Sequence, residues 1–167
     1  MQPTRLGDIE ALSREEFVAR LGFVAEGSPW VAEDAWARRP FGSRQGLIET
    51  FSQIIHDATG ERKLALVQAH PDLVGRVAVD DTSRTEQAAA GLGELSSDEI
   101  ATFRQLNAQY KERFGFPFVI CARENKKSAI LAGFRERLTN ARDEELATAI
   151  VEVCTIVALR LHDAVAE

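Results

Sequence analysis

Apolar residues recur at a spacing near 3.6 along most of this chain, and that period commits it to packed helices rather than sheets. The clearest stripe is Leu47, Ile48, Phe51, Ile54 and Ile55. Helix-start and helix-stop residues punctuate the pattern. Ser13 and Glu16 form a capping box before Phe17, Val18 and Leu21, and Gly22 closes that helix. Ser28-Pro29 leads into Trp30, Val31 and Trp36, with Ser28 as N-cap and Pro29 as first helical residue. Ser43 caps the Leu47 stripe, and Gly60 is expected to stop it. A helix from about Glu61 carries Leu64, Leu66 and Val67 and ends near His70. Residues 74–81 read as a loop. Ser96 with Glu99 forms a second capping box, opening a long helix with Ile100, Phe103, Leu106 and Tyr110 inward. Further helices are expected over about 126–138 and 143–163. Residues 114–120 are dense in Phe but hold Gly115 and Pro117, so they cannot be regular helix and are expected to be extended.

No strand-like alternation, internal repeat or linker interrupts this pattern. The expected fold is all-α, a single-domain irregular bundle of about eight helices spanning residues 1–167. Charge narrows the function classes. Asp+Glu is 26 against Lys+Arg 20, and a net charge of -6 with dispersed basic residues disfavours nucleic acid as a partner. No apolar stretch is long enough for a bilayer, so no membrane association is expected. The opening residues Met1-Gln2-Pro3-Thr4-Arg5 lack the apolar core of a secretory signal. Two cysteines, Cys121 and Cys154, lie far apart without metal-ligand spacing, which argues against a disulfide framework or a zinc site. A cytoplasmic location is the expectation.

Chemistry-bearing residues gather in two segments, His70-Pro71-Asp72-Leu73 and Ser83-Arg84-Thr85-Glu86-Gln87. Histidine has an unperturbed pKa of about 6.5 and can exchange protons near neutrality. Proline disfavours helix in the residue ahead of it, so His70 projects from a helix end. Its plainer reading is a helix-terminal histidine bonded to a backbone carbonyl. Ser83, Glu86 and Gln87 share one helix face at i, i+3 and i+4. Ser83-x-x-Glu86 also reads as a capping box, and a helix N-terminus suits a carboxylate ligand. Arg160 lies at the edge of the last apolar stripe, in line with Val153 and Val157. It either snorkels from the core flank or aims a guanidinium into a pocket, where it can grip a carboxylate. His56 and His162 fit helix C-termini, where the dipole favours positive charge. His70 with Asp72 supplies too few ligands to argue for a metal.

Three segments in order carry a resemblance: Gln68-Ala69-His70-Pro71-Asp72-Leu73; then Ser83-x-x-Glu86-Gln87-x-x-Ala90-Gly91-Leu92; then Phe114-Gly115-Phe116-Pro117-Phe118-Val119-Ile120. With Pro29-Trp30-Val31-Ala32 upstream and Leu159-Arg160-Leu161 near the end, the chain resembles the family of 2-oxo-4-hydroxy-4-carboxy-5-ureidoimidazoline (OHCU) decarboxylases over nearly its whole length. The resemblance implies an all-helical, typically dimeric enzyme that uses no metal or organic cofactor. The implied reaction is the third step of urate degradation, in which OHCU loses carbon dioxide to give (S)-allantoin. It places the catalytic histidine on His70. Substrate contacts fall on Pro71, on Ser83, Arg84, Thr85, Glu86 and Gln87, on Phe118, Val119, Ile120, Cys121 and Ala122, and on Arg160. One departure is a shorter loop between His70 and Ser83 than in some members.

The residue types suit that chemistry. A ring C=N beside the carboxylate-bearing carbon makes the substrate its own electron sink, so pyridoxal or thiamine is not required. His70 is expected to act as general acid/base, with Glu86 orienting it or binding ureido N–H groups. Ser83, Gln87 and Arg160 are expected to fix the ring, and backbone groups near Val119 and Ile120 its imidazolone edge. Two other classes compete. A metal-assisted ureide hydrolase would use His70, Asp72 and Glu86. A non-catalytic helical interaction module would need none of them.

Overall fold

The computed structural model describes residues 2–74 and 81–167, and for residues 81–84 the backbone only. Among these residues the chain forms nine α-helices and one pair of two-residue strands, an all-α architecture. In order they are β1 (Thr4–Arg5), α1 (Leu6–Ala11), α2 (Arg14–Leu21), α3 (Trp30–Trp36), α4 (Arg44–Asp57), α5 (Gly60–Gln68), α6 (Asp81–Ala89), α7 (Ser97–Phe114), α8 (Lys127–Arg137), α9 (Arg142–Ala164) and β2 (Val165–Ala166). The residues divide into two compact units: Met1–Ala69 with Val153–Glu167, and His70–Glu152.

In the first unit, α3 packs on α2 and α4, while β1 and β2 pair in parallel, Thr4 opposite Val165. This strand pair was not anticipated, since two residues are too few to show alternation. Phe17 sits between Phe41 and Phe51, with ring centroids 6.0 and 6.5 Å away. Apolar residues of α4 and of the end of α9, including Leu47, Ile55, Val157 and Leu161, complete the core. The Ser13–Glu16 capping box forms as read, and Ser43 Oγ accepts from the Gly46 N–H at 3.0 Å. Two boundaries differ. Pro29, not Ser28, is the N-cap of α3. Gly60 does not stop α4, which ends at Asp57; it is the first residue of α5, capped by the Thr59 hydroxyl. Glycine tolerates either end of a helix, and the Thr59 hydroxyl decided which.

In the second unit, α7 opens on the Ser96–Glu99 capping box and ends at Gly115, whose φ of 79° is a left-handed cap that glycine adopts without strain. Phe103, Leu106, Tyr110 and Phe114 of α7 are buried, and Ile100 is half-buried. The non-helical stretch begins one residue later than expected, because Phe114 closes α7; residues 115–120 pair with no strand among the described residues. They carry Phe116 and Phe118 into a cluster in which Tyr110 contacts Phe114, Phe116, Phe118 and Phe134. Phe118 stacks on Phe134 of α8 with centroids 3.7 Å apart.

Candidate active site

His70 follows α5 by one residue and is buried, 8% exposed. The three residues after Pro71 are each tied to helices within the second unit. Asp72 pairs with Lys111 of α7 at 2.9 Å. The Leu73 carbonyl accepts from Asn107 Nδ2 of α7 at 2.8 Å. The Val74 N–H donates to Gln87 Oε1 of α6 at 3.1 Å. That last bond joins the two segments singled out in the sequence. Residues 75–80, most of the expected loop, lie outside the described residues.

The helix bearing Glu86 and Gln87 begins earlier than read. α6 starts at Asp81, so Ser83 is its third residue and Glu86 its sixth. A capping box needs its serine at the N-cap, so the Ser83–Glu86 box is corrected: neither residue stands where it would close one. The side chains of Ser83 and Arg84 lie outside the described residues. Glu86 and Gln87 are half-buried and Thr85 is exposed. The helix ends near Gly91, whose φ is 83°, with the Leu92 N–H donating to the Gln87 carbonyl at 3.1 Å.

The third segment lies beside the second. The single helical turn Ala122–Glu124 packs against α6, and Lys126 Nζ reaches the Ala89 carbonyl at 3.4 Å. Phe118, Val119, Cys121 and Ala122 are buried, and Ile120 is half-buried. Part of this backbone is already engaged. The Val119 carbonyl accepts from Arg137 Nη1 at 2.8 Å, and the Cys121 N–H donates to Glu152 Oε2 at 2.7 Å. Among the described residues the Ile120 peptide group has no protein partner.

Arg160 belongs to the first unit, and its side chain is only 2% exposed, so it does not snorkel. Its guanidinium pairs with Glu26 at 3.1 Å and approaches the carbonyls of Phe23 and Val24 at 3.3 and 3.4 Å. His56 and His162 sit exposed in the last turns of α4 and α9. Burial pushes the Cys154 thiol up to about 11 and raises that of Cys121, so both favour the protonated form near neutrality. Among the described residues no three His, Cys, Asp or Glu side chains gather as a metal site.

Sequence reading missed several buried or half-buried polar groups in both units. Asn107 lies among Phe103, Leu106 and Tyr110 on the apolar face of α7, a break in the stripe that could have flagged it. Arg137, Glu145, Glu152 and Glu26 gave no such signal, because surface helices carry the same residue types. Arg137 Nε donates to Glu145 at 3.0 Å, and the Tyr110 hydroxyl donates to the same carboxylate. Burial, then that bond, raises the Tyr110 phenol above its ordinary range.

The OHCU decarboxylase family model matches residues 10–162, through both units. A 2-oxo-4-hydroxy-4-carboxy-5-ureidoimidazoline decarboxylase of Haloferax volcanii is 41% identical over 98% of this chain and 97% of its own length. One from Amia calva is 45% identical over 93% and 91%. Among solved structures, an OHCU decarboxylase in the presence of (S)-allantoin aligns with a TM-score of 0.70 and 27% identity, over 83% of this chain and 92% of that one. An (S)-allantoin synthase aligns at 0.75 and 25% over 97% of this chain, which spans 54% of its length. The fold and three adjoining segments therefore meet in one class, the all-helical carboxy-lyases. The chain belongs to the OHCU decarboxylase family.

Proposed function

We propose that this chain decarboxylates OHCU to (S)-allantoin in urate degradation, with His70 as the general acid/base. The observation that carries the reading is the Val74–Gln87 bond of 3.1 Å, which ties the buried His70 loop to the helix bearing Glu86 and Gln87. Loss of carbon dioxide leaves the electron pair of the broken C–C bond on the hydroxyl-bearing carbon, next to the ring C=N that accepts it. A proton must then reach one face of the ureido-bearing carbon and the hydroxyl must give one up to become the ring carbonyl, while the ring nitrogen that took the pair gains a proton from water. One imidazole can serve the first two transfers. No metal or organic cofactor is part of the proposal, because the substrate carries its own sink.

Glu86 orients the imidazole or accepts from the ureido N–H groups. Gln87, whose Oε1 is held by Val74, presents Nε2 as a donor. The Ile120 peptide offers one donor and one acceptor to the imidazolone edge, flanked by Val119, Cys121 and Ala122. Phe118 supports that edge from the core through its stack on Phe134. Pro71, Ser83, Arg84 and Thr85 enter from the resemblance, as does Arg160, whose bonds to Glu26 a ligand would compete with. Fixing the substrate in this way removes much of the orientational barrier. A homodimer and a cytoplasmic location belong to the same proposal.

The test uses OHCU generated freshly from urate and followed by circular dichroism. The wild-type protein is expected to give optically active allantoin. His70→Ala should lose that activity by about 100-fold or more while keeping its helical spectrum. Racemic allantoin formed at the uncatalysed rate in the presence of wild-type protein would defeat the reading. Wild-type turnover by His70→Ala would remove His70 from the chemistry.

A further inference from the structure

We infer that Asn107 is a positioning residue for His70. The inference rests on His70 being the acid/base group, and the experiment below separates the two. Asn107 is 6% exposed and occupies the core face of α7 between Phe103 and Tyr110. An apolar side chain of the same size would pack there without burying an amide. The amide is costly in another way: its Oδ1 is buried and has no partner. What it adds is a single bond, from Nδ2 to the Leu73 carbonyl at 2.8 Å.

That carbonyl is a sensitive place to hold. Leu73 is itself buried, and the next residue, Val74, has a φ of 58°. A β-branched residue in the left-handed region is strained and persists only where its surroundings impose it. The Asn107–Leu73 bond fixes the peptide group entering Val74, and the Val74–Gln87 bond fixes its N–H. On the other side only Pro71 and Asp72 separate Leu73 from His70, and Pro71 has its φ locked by its ring. The loop is therefore a short stiff link from the imidazole to α6, and Asn107 is its buried anchor. Without that donor the Leu73 carbonyl is stranded in the core. The loop then relaxes out of the strained conformation, and His70 loses its fixed relation to Gln87. The Asp72–Lys111 pair is a lesser tie, because its side chains are 32% and 49% exposed.

The experiment replaces Asn107 in the full chain and reads both turnover and the His70 ring. Asn107→Leu removes the donor at similar volume, and Asn107→Asp removes it with the same shape. Each folded variant is expected to lose about 10- to 100-fold in kcat with KM changed less than about twofold, the signature of displaced catalytic geometry. Lys111→Ala should keep kcat within about twofold. In the NMR spectrum the His70 Cε1–H signal should move toward the positions of the exposed His56 and His162, whose own signals stay in place and serve as controls. An unmoved His70 signal in either folded variant overturns the inference, whatever happens to kcat. If neither variant folds, hydrogen exchange of the Val74 amide in wild-type protein decides: strong protection supports the clamp, and exchange at the rate of an open loop overturns it. The NMR and exchange measurements need no substrate. A wild-type protein without OHCU turnover defeats the proposed function, while an unmoved His70 signal or an unprotected Val74 amide defeats the clamp.

Discussion

Among the described residues each unit buries an arginine–glutamate pair, and the two pairs have different neighbours. In the first unit Arg160 and Glu26 are 2% and 3% exposed, and the guanidinium also approaches the carbonyls of Phe23 and Val24 at 3.3 and 3.4 Å. In the second unit Arg137 and Glu145 are 10% and 0% exposed and belong to a wider network. Glu145 also accepts from the Tyr110 hydroxyl and from Asn140 Nδ2, and Arg137 holds the Val119 carbonyl and lies 4.4 Å over the Phe118 ring. The first pair closes a turn between helices. The second supports irregular backbone, the segment 118–122, that no helix hydrogen bonds could hold. A buried ion pair adds little net stability of its own, because desolvation offsets its attraction. Its worth lies in what else it is bonded to.

The largest expected effect tests what the pairs share. Arg137→Met and Arg160→Met should each destabilise the protein by about 3–5 kcal/mol in urea unfolding, since each leaves a buried carboxylate without its cation. A loss below about 1 kcal/mol at either site would show that water reaches the carboxylate.

The next effect separates the pairs. Glu26→Leu combined with Arg160→Met should recover most of the single-variant loss, because two apolar side chains fill the buried space without a charge to desolvate. Glu145→Leu combined with Arg137→Met should recover less, by about 1–3 kcal/mol, because the Tyr110 hydroxyl and the Val119 carbonyl stay buried without partners. Equal recovery would erase the distinction drawn between the units.

The smallest effect compares their capping boxes. Ser13→Ala and Ser96→Ala should each lower the Tm at neutral pH by about 2–4 °C. The Ser13 hydroxyl holds Glu16 below its usual range; Glu99 is held low chiefly by Lys127 at 2.8 Å and then by the Ser96 backbone. A carboxylate with a depressed folded pKa contributes stability above its unfolded value, near 4.5, and loses it as pH falls through the folded value. The Tm gap between wild type and Ser13→Ala should therefore narrow below about pH 4.5, whereas the Ser96→Ala gap should hold, because alanine keeps the backbone N–H and Lys127 that lower Glu99. Thermal melts at neutral and acid pH check this. Added salt should weaken the Lys127-braced box more than the Ser13 box.

Much of the fold was legible because its signals are local. The boxes at Ser13 and Ser96, the cap at Ser43 and the stripe from Leu47 to Ile55 each depend on residues within a turn or two of one another. The glycines were less decisive, since Gly60 suits a helix start as well as a stop and the Thr59 hydroxyl settled it. The candidate site was legible as residue types in a specific order. Its wiring was not: the left-handed Val74, the Asn107 anchor and the partners of Arg137 and Arg160 join positions 34, 18 and 134 residues apart.

By itself the sequence determined the helices, the irregular Phe-rich segment and the identity of the chemistry-bearing residues, because hydrophobic period, caps and proline act over a few residues. Tertiary structure alone decided which buried polar groups meet, which backbone groups are already engaged, and that Ser83 lies inside its helix rather than at its start. A buried donor or acceptor takes whatever partner packing brings to it, and packing is a property of the whole chain.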